Sequence, residues 1–230
     1  MSKAIVTYAK TWIYPGSCAK KDSNAIALLA PILLLLCSIS LNAQVSDPIT
    51  LSQTFTDPRD NQSYRIKTFE KDLGLGITVT QTWMIDNLNF EMPNSWCFEN
   101  DQKNCQQYGR LYTWEAAQNA CPAGWHLPAE VEWQRLTHQF IEGGMSLDSE
   151  KEEAYKILTL EGSSDFDALL GGSRGTGGSF LGLGAGGSYW SATARDGDFA
   201  YVFYFYGGDE SLNRYDYGQG VGLSVRCLQN

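Results

Sequence analysis

Two pairs of carboxylates stand two residues apart in this 230-residue chain, Asp165 with Asp167 and Asp196 with Asp198. Paired carboxylates can act as acid and base in glycoside hydrolysis, and loop carboxylates also suit calcium. Each pair sits in a Gly-rich stretch without the spacing of a hydrolase signature or an EF-hand, so capping of local turns is the commoner role. His126, in Trp125-His126-Leu127-Pro128, reads as a structural histidine bonded to neighbouring backbone; His138 reads as a solvated residue on a polar helix face. These residues make a weak case for catalysis. No catalytic residue, metal ligand or cofactor is expected, with structural calcium as the alternative to no cofactor and a polysaccharide-acting hydrolase as the alternative to a non-enzyme.

The richer chemistry lies near the carboxyl end. Between Tyr189-Trp190-Ser191 and Ser224-Val225-Arg226-Cys227 stand Tyr201, Tyr204, Tyr206, Tyr215 and Tyr217, interleaved with Asp, Gly, Asn, Ser and Arg, and residues 195–220 hold no His, Cys or Lys. Tyrosine offers wide, rigid contact area with a polar tip, while Gly, Ser and Asn offer adaptable hydrogen bonding. Strand alternation puts Tyr201, Phe203 and Phe205 on one face and Val202, Tyr204 and Tyr206 on the other. The Phe-bearing set is expected inside. Tyr204 and Tyr206 then face solvent and join Asp209, Glu210, Asn213, Arg214, Tyr215, Asp216 and Tyr217, on the loop that follows, as one ligand-binding surface.

The cysteines and charge bound the setting. Lys20 and Lys21 precede an apolar run to Ile39 and then Leu41-Asn42-Ala43, which reads as a signal peptide over residues 1–43. The run is short for a spanning helix, and Cys37 offers a lipid-anchor alternative behind bulky leucines. Four cysteines then remain, Cys97, Cys105, Cys121 and Cys227. In an exported chain they imply disulfides, and four cysteines allow three pairings. Cys97–Cys105 with Cys121–Cys227 is favoured, the second closing a loop of over a hundred residues worth ~4–5 kcal/mol in the chain-entropy model. None of the spacings suits structural zinc. The net charge of −9, more negative still without the first 43 residues, disfavours nucleic acid and anionic lipid as partners. The chain is expected to be exported, to the medium or the outer cell surface, with membrane contact only through a lipid anchor or an assembly partner.

The positioning elements follow from pattern. Residues 44–54 read as a flexible leader and 55–230 as one domain. Asp57-Pro58-Arg59-Asp60-Asn61-Gln62 is turn chemistry. It is followed by an alternating strand over 63–69, a Gly-containing turn over 72–76 and a β-branched strand over 77–84. Thr113 caps a helix that Pro122 ends, and Pro128 opens another that runs to about Glu142. Residues 149–160 are a weaker helix or an insertion. Frequent glycine between 162 and 187 argues for long, tightly turned loops. Strands follow at 189–192, 200–206 and 222–228, giving an α+β domain.

These pieces resemble the Fibrobacter succinogenes major paralogous domain. The matching residues are Thr56-Asp57-Pro58-Arg59-Asp60 with Tyr64, Gln81-Thr82-Trp83-Met84 with Asn87-Leu88, and Tyr108-Gly109-Arg110-Leu111-Tyr112-Thr113-Trp114. They continue with Cys121-Pro122-Ala123-Gly124-Trp125-His126-Leu127-Pro128, Ala168-Leu169-Leu170-Gly171-Gly172, Tyr189-Trp190-Ser191 and Ser224-Val225-Arg226-Cys227. The stretch 70–80 departs as a longer hairpin turn. The resemblance implies a C-type-lectin-like fold of the formylglycine-generating-enzyme kind: an antiparallel sheet pinned by adjacent termini, two helices and long Gly-rich loops. The Glu-Pro-Asn and Trp-Asn-Asp tripeptides of calcium-dependent sugar-binding lectins are absent. Some proteins of this kind are diversified by retroelements, and residues 196–220 look like such a variable region. The expected function is an adhesin- or receptor-like module binding a protein or glycan. A structural subunit of a surface assembly is a further alternative.

Overall fold

The computed structural model describes residues 53–140, 147–159 and 162–230. The expected signal peptide, the Cys37 anchor and most of the leader lie outside them. Residues 53 and 54, expected in the leader, already belong to a strand, because backbone pairing with the next strand supplies the order that their side chains do not.

The chain starts with a meander of β1 (Gln53–Thr56), β2 (Ser63–Asp72) and β3 (Thr78–Met84). Asp57 shapes the first turn. It is fully buried, accepts from the Arg59 N–H at 2.9 Å and pairs with the Arg59 guanidinium at 2.7 Å. The second turn closes through Leu73 N–H to Ile77 O at 2.8 Å, with Gly74, Leu75 and Gly76 at positive φ. Next come β4 (Ser95–Trp96), a 3-10 turn (Phe98–Asn100), α1 (Gln102–Tyr108), β5 (Leu111–Tyr112), α2 (Trp114–Gln118), β6 (Trp125–His126), α3 (Glu130–Phe140) and α4 (Leu147–Leu158). The expected Thr113 cap is present, its hydroxyl oxygen accepting from Ala116 N–H at 3.3 Å. Sequence reading missed α1, a helix of 7 residues that starts within the small disulfide loop, carries Cys105 and is capped by Asp101. The described residues hold four α-helices: the two that the resemblance implies, α4 over the weaker candidate at 149–160, and α1.

The last third corrects the loop expectation. The Gly-rich stretch folds as β7 (Gly171–Arg174), β8 (Phe180–Leu183) and β9 (Gly186–Ala194). Some of its glycines mark close backbone approach: a Cβ on Gly187 would lie 2.2 Å from Leu169 O, and one on Gly172 2.7 Å from Leu181 O, whereas Gly182 and Gly184 have open space and hold positive φ. β10 (Phe199–Tyr206), β11 (Ser211–Gly218) and β12 (Leu228–Gln229) complete the chain. The expected strand over 222–228 is mostly a segment threaded between other elements. Gly222, Leu223 and Ser224 make single bridges to Arg174, Tyr112 and Tyr189, and regular pairing begins only at Leu228.

Two five-stranded sheets result, ordered β1-β2-β3-β12-β6 and β11-β10-β9-β7-β8, with a small β4-β5 ribbon. All strand pairs are antiparallel except β7 with β9. The first and last strands share a sheet, and the fold is α+β. Two apolar cores form. One gathers Tyr64, Met84, Tyr112, Trp190, Val202 and Val225; the other gathers Trp83, Trp133, Phe166, Tyr189, Phe203 and Phe205. Trp133 stacks on Phe203 at 5.1 Å and donates its indole N–H to Trp190 O at 3.3 Å, so both its apolar body and its polar handle are satisfied. Both disulfides are as favoured, Cys97–Cys105 and Cys121–Cys227.

Arg226 is a fully buried cation. It donates from Nε to Asn87 Oδ1 at 2.9 Å and from Nη2 to Asp167 O at 2.6 Å, and Nη1 bonds Phe166 O. Burial pulls its pKa below the usual arginine value. Carbonyl oxygens and a ring face (Phe166, 4.3 Å away) stand in for water around the guanidinium.

Candidate ligand-binding surface

The surface is built on the β10–β11 hairpin. Pairing of Tyr206 with Ser211, Tyr204 with Asn213, Val202 with Tyr215 and Ala200 with Tyr217 sets which side chains share a face. Tyr204, Tyr206, Asn213, Tyr215 and Tyr217 lie together. Arg214 and Asp216 lie on the reverse face with Tyr201, Phe203, Phe205 and Leu212. Most of the expected loop is therefore strand, because eight residues of β11 pair with β10; only residues 207–210 turn.

The nine expected residues do not form one surface. Arg214 is ion-paired with Glu130 of α3 and sits 4.7 Å over the Tyr201 ring. Asp216 accepts from Arg195 at 2.6 Å. At the turn, Asp209 accepts from the Ser211 hydroxyl, and Glu210 lies 3.8 Å from Lys156 of α4. Asn213 donates to Ser211 Oγ at 2.7 Å and accepts from Lys151 at 3.4 Å. The tyrosines remain. Tyr206 is 39% and Tyr215 48% exposed, whereas Tyr204 and Tyr217 are half-buried.

Burial on β10 follows expectation for Phe203 and Phe205, which are fully buried, but not for Tyr201 and Val202. Tyr201 is only half-buried beneath Arg214, and Val202 is fully buried although it shares the face of Tyr204. The reason is that β10 is an inner strand on which the first core covers one face at Ala200 and Val202, while the second core covers the other face only at Phe203 and Phe205. The tyrosine face is open to solvent at Tyr206, beside the turn, and at Tyr215 on β11.

Glycines hold the rings in place. A Cβ on Gly186 would fall 2.7 Å from Cε2 and Oη of Tyr204, and one on Gly208 2.6 Å from Cζ and Oη of Tyr206. Each ring thus lies against bare glycine backbone. The two rings stack at 5.7 Å and 22°, with Tyr215 6.1 Å from Tyr204. Burial raises the Tyr204 pKa, and the nearby Tyr217, Tyr206, Tyr215 and Asp209 raise it further.

Beside this stack is a cleft of about 120 Å³. Gly172, Gly182 and Gly186 line it with backbone, Ser173 and Ser188 belong to its walls, and Leu181, Tyr204 and Tyr217 complete it. Sequence reading missed the glycines and serines. The glycine doublets at 186–187 and 207–208, flanking an aromatic strand, were the available signal. A larger groove of about 480 Å³ runs between α4 and the β10–β11 turn, lined by Tyr155, Lys156, Leu170 and Glu210 among others.

The other candidates are engaged structurally. Asp165 pairs with Lys67, and Asp167 with Arg65 at 3.3 Å; both aspartates occupy positive-φ turn positions. Asp196 Oδ1 accepts from the N–H groups of Asp198 and Phe199, both at 3.0 Å. His126 bonds side chains rather than backbone, with Nδ1 2.7 Å from Asn230 Oδ1 and Nε2 3.1 Å from Glu132 Oε2. Glu132 reaches back to accept from Ala129 N–H at 2.8 Å, and this capping carboxylate is what fixes the ring. His138 is half-buried, and its backbone carbonyl accepts from Lys71. Among the described residues, no group of three or more His, Cys, Asp or Glu is placed to hold a metal ion, and no helix is long and apolar enough to cross a membrane.

No curated protein and no solved structure matches the chain. A family model does: that of the Fibrobacter succinogenes major domain matches residues 74–229, taking in the buried tryptophans, all four disulfide-bonded cysteines, the tyrosine hairpin and the Arg226 segment. The chain belongs to the Fibrobacter succinogenes major domain family.

Proposed function

We propose that this protein is an exported binding module, of C-type-lectin-like α+β fold, that engages a protein or glycan at the cell surface or in the medium. The observation that carries the reading is the tyrosine face of β10–β11. The Tyr204 and Tyr206 rings lie against glycine backbone on an inner strand, yet Tyr206 and its neighbour on this face, Tyr215, remain open to solvent. Such preorganised aromatic anchors cost little entropy on binding and are the usual hot spots of an interface. Two disulfides support an oxidising compartment. Diversification of residues 196–220 would be confined to solvent-facing positions such as Tyr206, Arg214 and Tyr215, since Val202, Phe203, Phe205 and Leu212 are all fully buried.

The test is a binding screen of the exported chain on glycan and cell-surface protein panels. The double variant Tyr206→Ala/Tyr215→Ala should lose roughly 2 kcal/mol or more of binding with little change in melting temperature. Undiminished binding by that variant would refute the reading.

A further inference from the structure

We infer that the glycine-lined cleft beside Tyr204 and Tyr217 is a subsite for one neutral sugar ring of a glycan. The inference rests on the binding-module reading and narrows it.

Charge is the first argument. The protein carries a net charge of −9, yet the residues lining this cleft are Gly, Ser, Leu and Tyr, none of them charged. Arg214 and Asp216 point to the opposite face, where Glu130 and Arg195 neutralise them. A charged ligand entering the cleft would lose hydration without gaining a counter-charge, which is costly. A neutral ligand avoids that cost. This separates the cleft from the groove along α4, whose lining includes Lys156 and Glu210.

Size and shape are the second. A cavity of about 150 Å³ admits a benzene ring. A surface cleft of about 120 Å³ is smaller and open, so it seats one face or edge of a single six-membered ring, the remainder staying in solvent. Aromatic walls offer faces for the C–H side of such a ring, while serine hydroxyls, phenols and glycine backbone offer donors and acceptors for its hydroxyl groups. A peptide aromatic would use the walls but leave the polar groups unpaired, at a cost.

Positioning is the third. The Tyr204 ring lies where a Cβ on Gly186 would be. Gly186 is not among the glycines at positive φ, so alanine is compatible with its backbone. The atoms met are the far end of the Tyr204 side chain. Gly186→Ala should therefore displace the ring that walls the cleft and leave the fold intact, which makes Gly186 a positioning residue.

The experiment titrates the full exported chain with neutral oligosaccharides (glucan, mannan, xylan and galactan series) and with their uronic, sialylated or sulfated counterparts. At least one neutral series should bind, its charged counterpart should bind roughly tenfold more weakly or worse, and Gly186→Ala should weaken the neutral series roughly tenfold at unchanged melting temperature. On the wild-type chain, sugar C–H protons should shift upfield on binding, as stacking on a ring face requires. Absence of neutral-sugar binding, equal binding of charged sugars, or a Gly186→Ala variant that folds and binds normally overturns the subsite. A non-saccharide ligand that is lost on Tyr206→Ala/Tyr215→Ala but indifferent to Gly186→Ala overturns the subsite while leaving the binding-module reading in place.

Discussion

Tyr206 and Tyr217 differ in what they hold up. Tyr206 rests on glycine and meets solvent, whereas Tyr217 packs against the first core. Tyr206→Ala should change unfolding free energy by no more than about 0.5 kcal/mol. Tyr217→Ala should cost roughly 1–2 kcal/mol for the apolar area it re-exposes, and urea denaturation of the two variants distinguishes them. Asp57 gives a pH prediction. Burial alone would raise its pKa, but hydrogen bonds from the Arg59 side chain and N–H, together with the guanidinium charge, hold it below the ordinary value. A lowered folded-state pKa stabilises the protein above the unfolded value near 4 and ceases to do so as pH falls through the folded one. Melting temperature should therefore drop below about pH 4, and Asp57→Asn should flatten that drop; an unchanged acid limb would exclude Asp57 as its source. Tyr64 titrates at the other end: burial pushes it up to about 12, so absorbance titration should show phenols ionising well above pH 10 until the fold opens. At this scale the sequence was most legible where bonding is obligatory. Cysteines in an even count had to pair, and the Thr113 cap announced itself. The Arg226 carbonyl cage was not legible, because its acceptors come from Asn87, Phe166 and Asp167, distant in sequence.

Elements were legible in proportion to their apolar periodicity. β2, β3, α2, α3 and β10 follow from alternation, capping and proline placement. β11 did not, because Asn213, Arg214, Asp216 and Gly218 read as loop; its backbone bonds to β10 and the burial of Ser211 and Leu212 decide the matter instead. α1 is too short to show a period. The Gly-rich stretch misled for a physical reason: glycine marks close backbone approach as readily as a turn. Gly187 is the clearest case, with Leu169 O 2.2 Å from the position of a would-be Cβ. Gly187→Ala should destabilise the protein by about 1–3 kcal/mol, as overpacking does, in contrast to Gly186→Ala, whose neighbour is a movable ring. A thermal melt in which the two alanine variants behave alike would refute this distinction.

For the whole molecule, α+β class and both cystine pairings could be read from the sequence. The division into two cores and two five-stranded sheets could not, since it depends on β12 inserting between β3 and β6. The two bridges should contribute unequally. Cys121–Cys227 spans a sequence separation of 106 and Cys97–Cys105 one of 8. Breaking the long one by Cys121→Ser/Cys227→Ser should cost about 2–5 kcal/mol, and breaking the short one less; calorimetry with the order reversed would show that local strain, not chain entropy, governs.

The same long bridge has a consequence for the molecule when a protease cuts it. Helix α3, helix α4 and the tyrosine hairpin all fall within the covalent circle it draws. A single cut anywhere on that circle yields two fragments that stay tethered, so a nicked molecule should run as one band without reductant and separate into two with it.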